Sequence, residues 1–227
     1  MKYAKVIATI LLTTIAVGAS AQRVVRYNGT TATTSSSSAD GWSRIYLNYN
    51  PTWVILNEGD LDENYVNNFA FGYAKAIPLV GDLYLEPGGE FQWYFKKHEA
   101  ELYDTHFNML SLRIPVNAVY DLDLGGITLR PYAGFYGRFN MLAKEKYEGQ
   151  GHTSRQNLFK LKDGNNNRIY KHFQIGMQFG GTVVLANKYT AGFGYGFDFN
   201  PLTKVKAGGK VYKQKYSQLS LSAGLLF

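Results

Sequence analysis

The sequence contains no cysteine, so disulfides, thiol chemistry and cysteine–metal centres are excluded. Proline is scarce, at 6 of 227 residues. The apolar stretch near the N terminus, Val6 to Val17, is too short for a comfortable transmembrane helix. No glycine-rich nucleophile elbow, HExxH helix or phosphate loop occurs. The four histidines, His98, His106, His152 and His172, are scattered and do not have the spacing of a metal site. His152 precedes Thr153 and Ser154, but adjacency in a loop does not make a nucleophile–base pair. His172 falls near a strand end with no identifiable serine partner. The expectation is therefore no catalytic, cofactor-binding or metal-binding residue, no cofactor, and no enzyme, with a lipid-modifying outer-membrane enzyme as the alternative.

What the chain does have is 24 glycines, 18 tyrosines and 14 phenylalanines, a composition suited to many strands and turns. Its length fits one domain of barrel or sandwich type. The last stretch, Tyr216 to Phe227, shows the pattern most clearly. Leu219, Leu221, Ala223, Leu225 and Phe227 alternate with Gln218, Ser220, Ser222 and Gly224. A strand converts that period of two into one apolar and one polar face. Leu226 is the apolar exception on the polar side. The mean hydropathy of −0.23 does not oppose a membrane location, because alternation dilutes the apolar signal of a barrel strand.

Met1 to Ala21 reads as a secretory leader: Lys2 and Lys5, the apolar core, then Ala19-Ser20-Ala21 as a cleavage site. Cleavage after Ala21 would start the mature chain at Gln22. Residues 22–41 include a run from Ser35 to Ser38 and read as a flexible periplasmic tail. From Trp42 to Phe227 the alternation recurs in eight stretches: about 42–50, 67–79, 83–95, 107–120, 127–142, 170–185, 188–199 and 216–227. Most are long enough to cross a bilayer as a tilted strand of about 9–11 residues. Short connections (80–82, 121–126, 186–187) alternate with long ones (54–64, 96–105, 143–169, 201–213). That sorting is expected of an outer-membrane barrel with both termini on the short-turn, periplasmic side. The fold class expected is all-β, a transmembrane antiparallel β-barrel of about 8 strands.

Leu112-Arg113-Ile114-Pro115-Val116, Arg130-Pro131-Tyr132-Ala133-Gly134 and the final Leu-Ser-Leu-Ser-Ala-Gly-Leu-Leu-Phe resemble stretches of known barrels. The chain resembles the small eight-stranded OmpA/OmpX-type barrels and, more closely, the porin-family outer-membrane β-barrel proteins. The resemblance covers roughly residues 42–227 and brings no catalytic residues. It implies location in the bacterial outer membrane, in contact with outer-membrane lipid. It also implies that Phe227 acts as an insertion signal for the barrel-assembly machinery.

An eight-stranded barrel is just wide enough for side chains to fill it. The inward-facing set includes Arg44, Glu86, Glu90, Arg113, Arg130, Arg138 and Asp198, which should pair because isolated buried charges are costly. The alternative is a narrow polar channel for ions or small solutes. The net charge is +7. The export signal argues against nucleic acid as the acidic partner. The basic residues of the long loops are Lys144, Lys146, Arg155, Lys160, Lys162 and Arg168, then Lys204, Lys206, Lys210 and Lys213. They suit lipopolysaccharide phosphates, an acidic glycan, a protein partner or a larger outer-membrane assembly; a charged loop surface can also be merely solvated. Asp163 to Asn167 gathers turn formers, with no chemistry implied.

Overall fold

The computed structural model describes residues 41–56, 65–99, 103–149, 152–164, 166–207 and 210–227. The leader, nearly all of the Ser/Thr-rich tail, the acidic positions Glu58, Asp60, Asp62 and Glu63, and Asn165 lie outside the described residues.

Among the described residues thirteen strands form: β1 (Ser43–Tyr49), β2 (Thr52–Leu56), β3 (Tyr65–Lys75), β4 (Ile77–Val80), β5 (Leu83–Glu99), β6 (Asp104–Tyr120), β7 (Leu122–Asp123), β8 (Ile127–Gly149), β9 (His152–Asn157), β10 (Phe173–Leu185), β11 (Tyr189–Asp198), β12 (Thr203–Ala207) and β13 (Lys210–Leu226). Eight close into a ring. β1 pairs with β3, and pairing continues through β5, β6, β8, β10 and β11 to β13, which returns to β1. Every pairing is antiparallel, and because β13 closes on β1 the ring has no free edge to template aggregation. The seam is clamped at its end: Ser43 N donates to Phe227 O at 2.8 Å, and Phe227 N donates to Ser43 O at 2.9 Å.

The remaining strands extend the staves. β2 carries the first stave on, pairing with β13 and β3, and β12 pairs with the start of β13. β9 folds back on the end of β8, Lys146 lying opposite Arg155. Residues 143–157 and 203–213 are therefore largely strand, where the sequence reading placed loops. A bulge explains the first difference. Leu110 pairs with Leu142 and Ser111 with Asn140, leaving Met141 as an extra residue. The bulge resets the parity, so Asn140 and Ala143 are both buried, and the strand runs on past the point where the alternation breaks.

Alternation sorts the side chains. Leu47, Phe69, Phe71, Phe91, Trp93, Phe135, Phe179 and Phe193 stand exposed on the outside, while Arg44, Tyr46, Asn68, Glu90 and Arg113 are buried within. In water such a contiguous apolar band would be unfavourable by about 25 cal/mol per Å²; against hydrocarbon it costs nothing. Inside, large rings require neighbours without side chains. A Cβ on Gly72 would sit 2.5 Å from the Tyr46 ring, and one on Gly194 would sit 2.2 Å from Tyr132 Oη.

Candidate functional site: a filled bore and a basic rim

The bore is built in layers, starting at the short-turn end. Ala76, Tyr84 and Val119 pack with Trp42 and Tyr132. Arg130 lies 4.0 Å over the Trp42 ring and donates to both Asp121 oxygens, at 2.8 and 2.9 Å. Between Trp42, Arg44, Glu86, Arg130 and Tyr132 there is no room for a water molecule.

Above this, Arg44 grips Glu86 with two bonds, Nε to Oε2 at 2.9 Å and Nη2 to Oε1 at 2.8 Å. Asn117 donates to the same carboxylate at 3.2 Å. This fork-to-fork geometry is the strong form of an ion pair. In the next layer Glu90 accepts from Arg113 at 3.2 Å, Tyr46 at 3.1 Å and Gln92 at 3.1 Å. Arg113 also donates to Gln178 and lies 3.9 Å over the Tyr136 ring. Higher still, Arg138 pairs with Asp198, which also accepts from Tyr136 at 2.8 Å. Arg138 reaches the stacked rings of Tyr94 and Tyr216, whose centroids are 5.5 Å apart.

The layer at the long-connection end is apolar. Val66, Tyr94, Met109, Ala143 and Tyr216 come from the staves. Leu158, Phe159 and Leu202 come from connections, and they are buried to 1%, 7% and 1% exposure. Leu158 and Phe159 begin a single 3-10 turn, Leu158–Lys160, capped by Asn157 Oδ1 accepting from Phe159 N at 3.1 Å. A segment read as a basic surface loop thus dips two hydrophobic side chains into the mouth. His172 belongs to this lid. Its ring stacks on Phe159 (centroids 4.0 Å apart) and Phe139 (5.8 Å), and its Nδ1 is 2.9 Å from Asn140 O. It lies outside β10, which starts at Phe173, and corrects the sequence reading that continued the strand's alternation back to Tyr170.

Seven interior charges named from the sequence therefore fall into four ion pairs once Asp121 is added. Asp121 was missed because it sits in a short connection, outside the alternating pattern. The outer basic residues divide differently. Lys146 is paired with Glu148, which His106 also approaches at 3.3 Å. The hydrogen bond from Lys146 holds the Glu148 carboxyl below its usual range. The bond from Tyr147 to Glu145 pushes that phenol up to about 12. Lys162 donates to Asn166 at 2.8 Å. Lys144 is exposed opposite Asn157, and Lys160 is exposed at the end of the 3-10 turn. Lys204 and Lys213 are direct cross-strand neighbours of like charge. Lys206 and Lys210 lie on the same hairpin, but their side chains are outside the described residues. Lys215, on the same side of β13 as Lys213, joins the group; it escaped notice because the strand was expected to begin at Tyr216.

The family model for the outer membrane protein beta-barrel domain matches residues 20–204. No curated protein matches the sequence. Among solved structures, the attachment invasion locus protein Ail of Yersinia pestis is 16% identical, with a TM-score of 0.47. That match covers 83% of this chain and 99% of Ail. Neisserial surface protein A is also 16% identical, at a TM-score of 0.43, covering 84% of this chain and 98% of its own. The outer membrane enzyme PagL is 14% identical at 0.47, covering 80% and 97%.

Proposed function

The chain belongs to the outer membrane protein beta-barrel domain family, and we propose that it serves the bacterial outer membrane as a sealed, non-catalytic barrel that meets anionic partners through its basic rim. In this reading the leader is removed after Ala21, the short turns face the periplasm, and Phe227 directs insertion. The long connections face outward, where lysines meet lipopolysaccharide phosphates or an acidic surface.

The observation that carries the reading is the filling of the bore. Four ion pairs, three of them with both partners essentially buried, are stacked below an apolar lid. Ion passage would require breaking those pairs, and leaving one buried charge unpaired costs about 3–5 kcal/mol. Planar-bilayer recording tests it. Purified barrel is expected to give no unitary conductance; steady single-channel currents would overturn it. The non-catalytic part has its own test. Incubation with lipopolysaccharide or phospholipid should leave the acyl chains intact, and their release or transfer would refute it.

A further inference from the structure

β13 joins positive charge to an apolar depression on one face. By alternation Lys213, Lys215, Ser217, Leu219, Leu221 and Ala223 share one side of β13, Leu221 being half exposed, while Ser217 is itself as buried as Tyr216 and Gln218 on the other side. Lys204 sits beside Lys213 across the β12–β13 pair. No aspartate or glutamate occurs from Phe199 to Phe227. At Ser217 the neighbours are aromatic: Trp53 lies opposite it on β2, and Tyr195 shares a hydrogen bond with its hydroxyl. Aromatic residues of this kind mark the membrane–water boundary. The lysines therefore stand just beyond that boundary, at the depth of lipid phosphates.

Below the boundary the wall dips. A depression of about 650 Å³ opens between Leu47, Phe69, Phe71, Trp93, Leu221 and Ala223. Its size falls within the ~300–1,000 Å³ of sites that hold small ligands. The dip follows from the register. Leu47 lies between Ala223 on one side and Phe71 on the other, so a low strip runs beside a ridge of rings. From Lys215 to Leu221 is six residues, about 20 Å along a strand. With a tilt of about 40° that is roughly 15 Å of depth, within an apolar band about 25 Å tall. An acyl chain descending from a phosphate at the lysines reaches the depression.

We propose that this face binds one phosphorylated acyl lipid of the outer leaflet, its phosphate on Lys204, Lys213 and Lys215 and one chain in the depression beside Ala223. The site rests on the reading above that the chain sits in the outer membrane and turns its lysines to anions, and adds a specific ligand class and seat. Charge complementarity selects a lipid over a second copy of the barrel, whose equivalent face is also basic.

Native mass spectrometry of the full barrel in neutral-lipid nanodiscs tests it, with diacyl phosphatidic acid as probe. Diacylglycerol supplies chains without phosphate, and inorganic pyrophosphate supplies phosphate without chains. Wild type should retain one phosphatidic acid and at least tenfold less of either control. K204Q/K213Q/K215Q should lose that retention at least tenfold. A223W, which fills the depression from the lipid side, should lose it comparably while leaving pyrophosphate binding unchanged. L47F is a milder filler, and heat-dependent gel mobility verifies that each variant is folded. If the lysine variant loses the lipid but both fillers retain it, the depression is not the seat; the proposal fails and the anionic-rim reading survives. If the lysine variant retains the lipid, both fail. A barrel dimer cross-linked across this face would also overturn the proposal.

Discussion

Arg138 and Asp198 form an ion pair in which neither side chain has any solvent-accessible surface. The carboxylate is held from a second side by Tyr136, and the guanidinium by Tyr94 at 3.1 Å. Removing one partner strands the other. Asp198→Asn keeps the shape and deletes the charge, and is expected to cost about 3–5 kcal/mol in urea unfolding from lipid bilayers. Arg138→Met combined with Asp198→Leu should recover most of that loss, because a well-packed apolar pair needs no desolvation of charge. A single Asp198→Asn variant within 1 kcal/mol of wild type would show that water reaches the pair.

The lid gives a second expectation. Phe159 is buried against inward-facing residues and against His172, and truncating a buried phenylalanine costs about 3–5 kcal/mol. Leu158→Ala with Phe159→Ala should release the connection, speeding trypsin cleavage after Lys160 and Lys162. Conductance should stay absent, since the Arg138, Arg113 and Arg44 layers below are untouched. Channel opening in this variant would place the seal in the lid alone.

The alternation made the barrel legible, since strand side chains in a closed sheet face either lipid or bore, and the sequence must write that period in every stave. The interior charges were legible for the same reason: Arg44, Glu86, Glu90, Arg113, Arg138 and Asp198 each interrupt a polar phase with a full charge. What was not legible depends on contacts distant in sequence. Asp121 reaches Arg130 from a turn that has no periodicity. Leu158 and Phe159 are two apolar residues in a basic stretch, and only the finished mouth shows them a place to be buried. Met141 hides a parity shift that no local pattern announces. Lys204 and Lys213 acquire meaning only when pairing sets them side by side.

Tyr132 and Gly194 illustrate a packing rule that a double-mutant cycle can test. A Cβ at residue 194 would lie 2.2 Å from Tyr132 Oη, with the next contacts at 3.3 Å. Gly194→Ala is expected to destabilise the barrel by about 1–3 kcal/mol, the usual cost of overpacking. Tyr132→Phe removes the offending hydroxyl, so the double variant should be more stable than the sum of the singles by roughly 1 kcal/mol or more. Simple additivity would mean that the backbone of β11 yields instead.

The β8–β9 arm supplies a pH test, because Glu148 there is hydrogen-bonded by Lys146 and approached by His106. Its carboxyl titrates below the ordinary range, chiefly because of the Lys146 hydrogen bond. A depressed carboxylate stabilises the folded arm above its unfolded value, and that contribution disappears as the pH falls through the folded one. Both partners are partly exposed, so the effect is local and screened by salt. Carbon-13 NMR of the Glu148 carboxyl should show a midpoint below that of an unpaired glutamate. Lys146→Gln should move the midpoint up, and high salt should shift wild type in the same direction. Backbone signals of Gly149 and His152, which close the arm opposite one another, should change over the same acidic interval in wild type and at higher pH in the variant. Midpoints that coincide in the two proteins would show that the lysine does not govern this carboxylate.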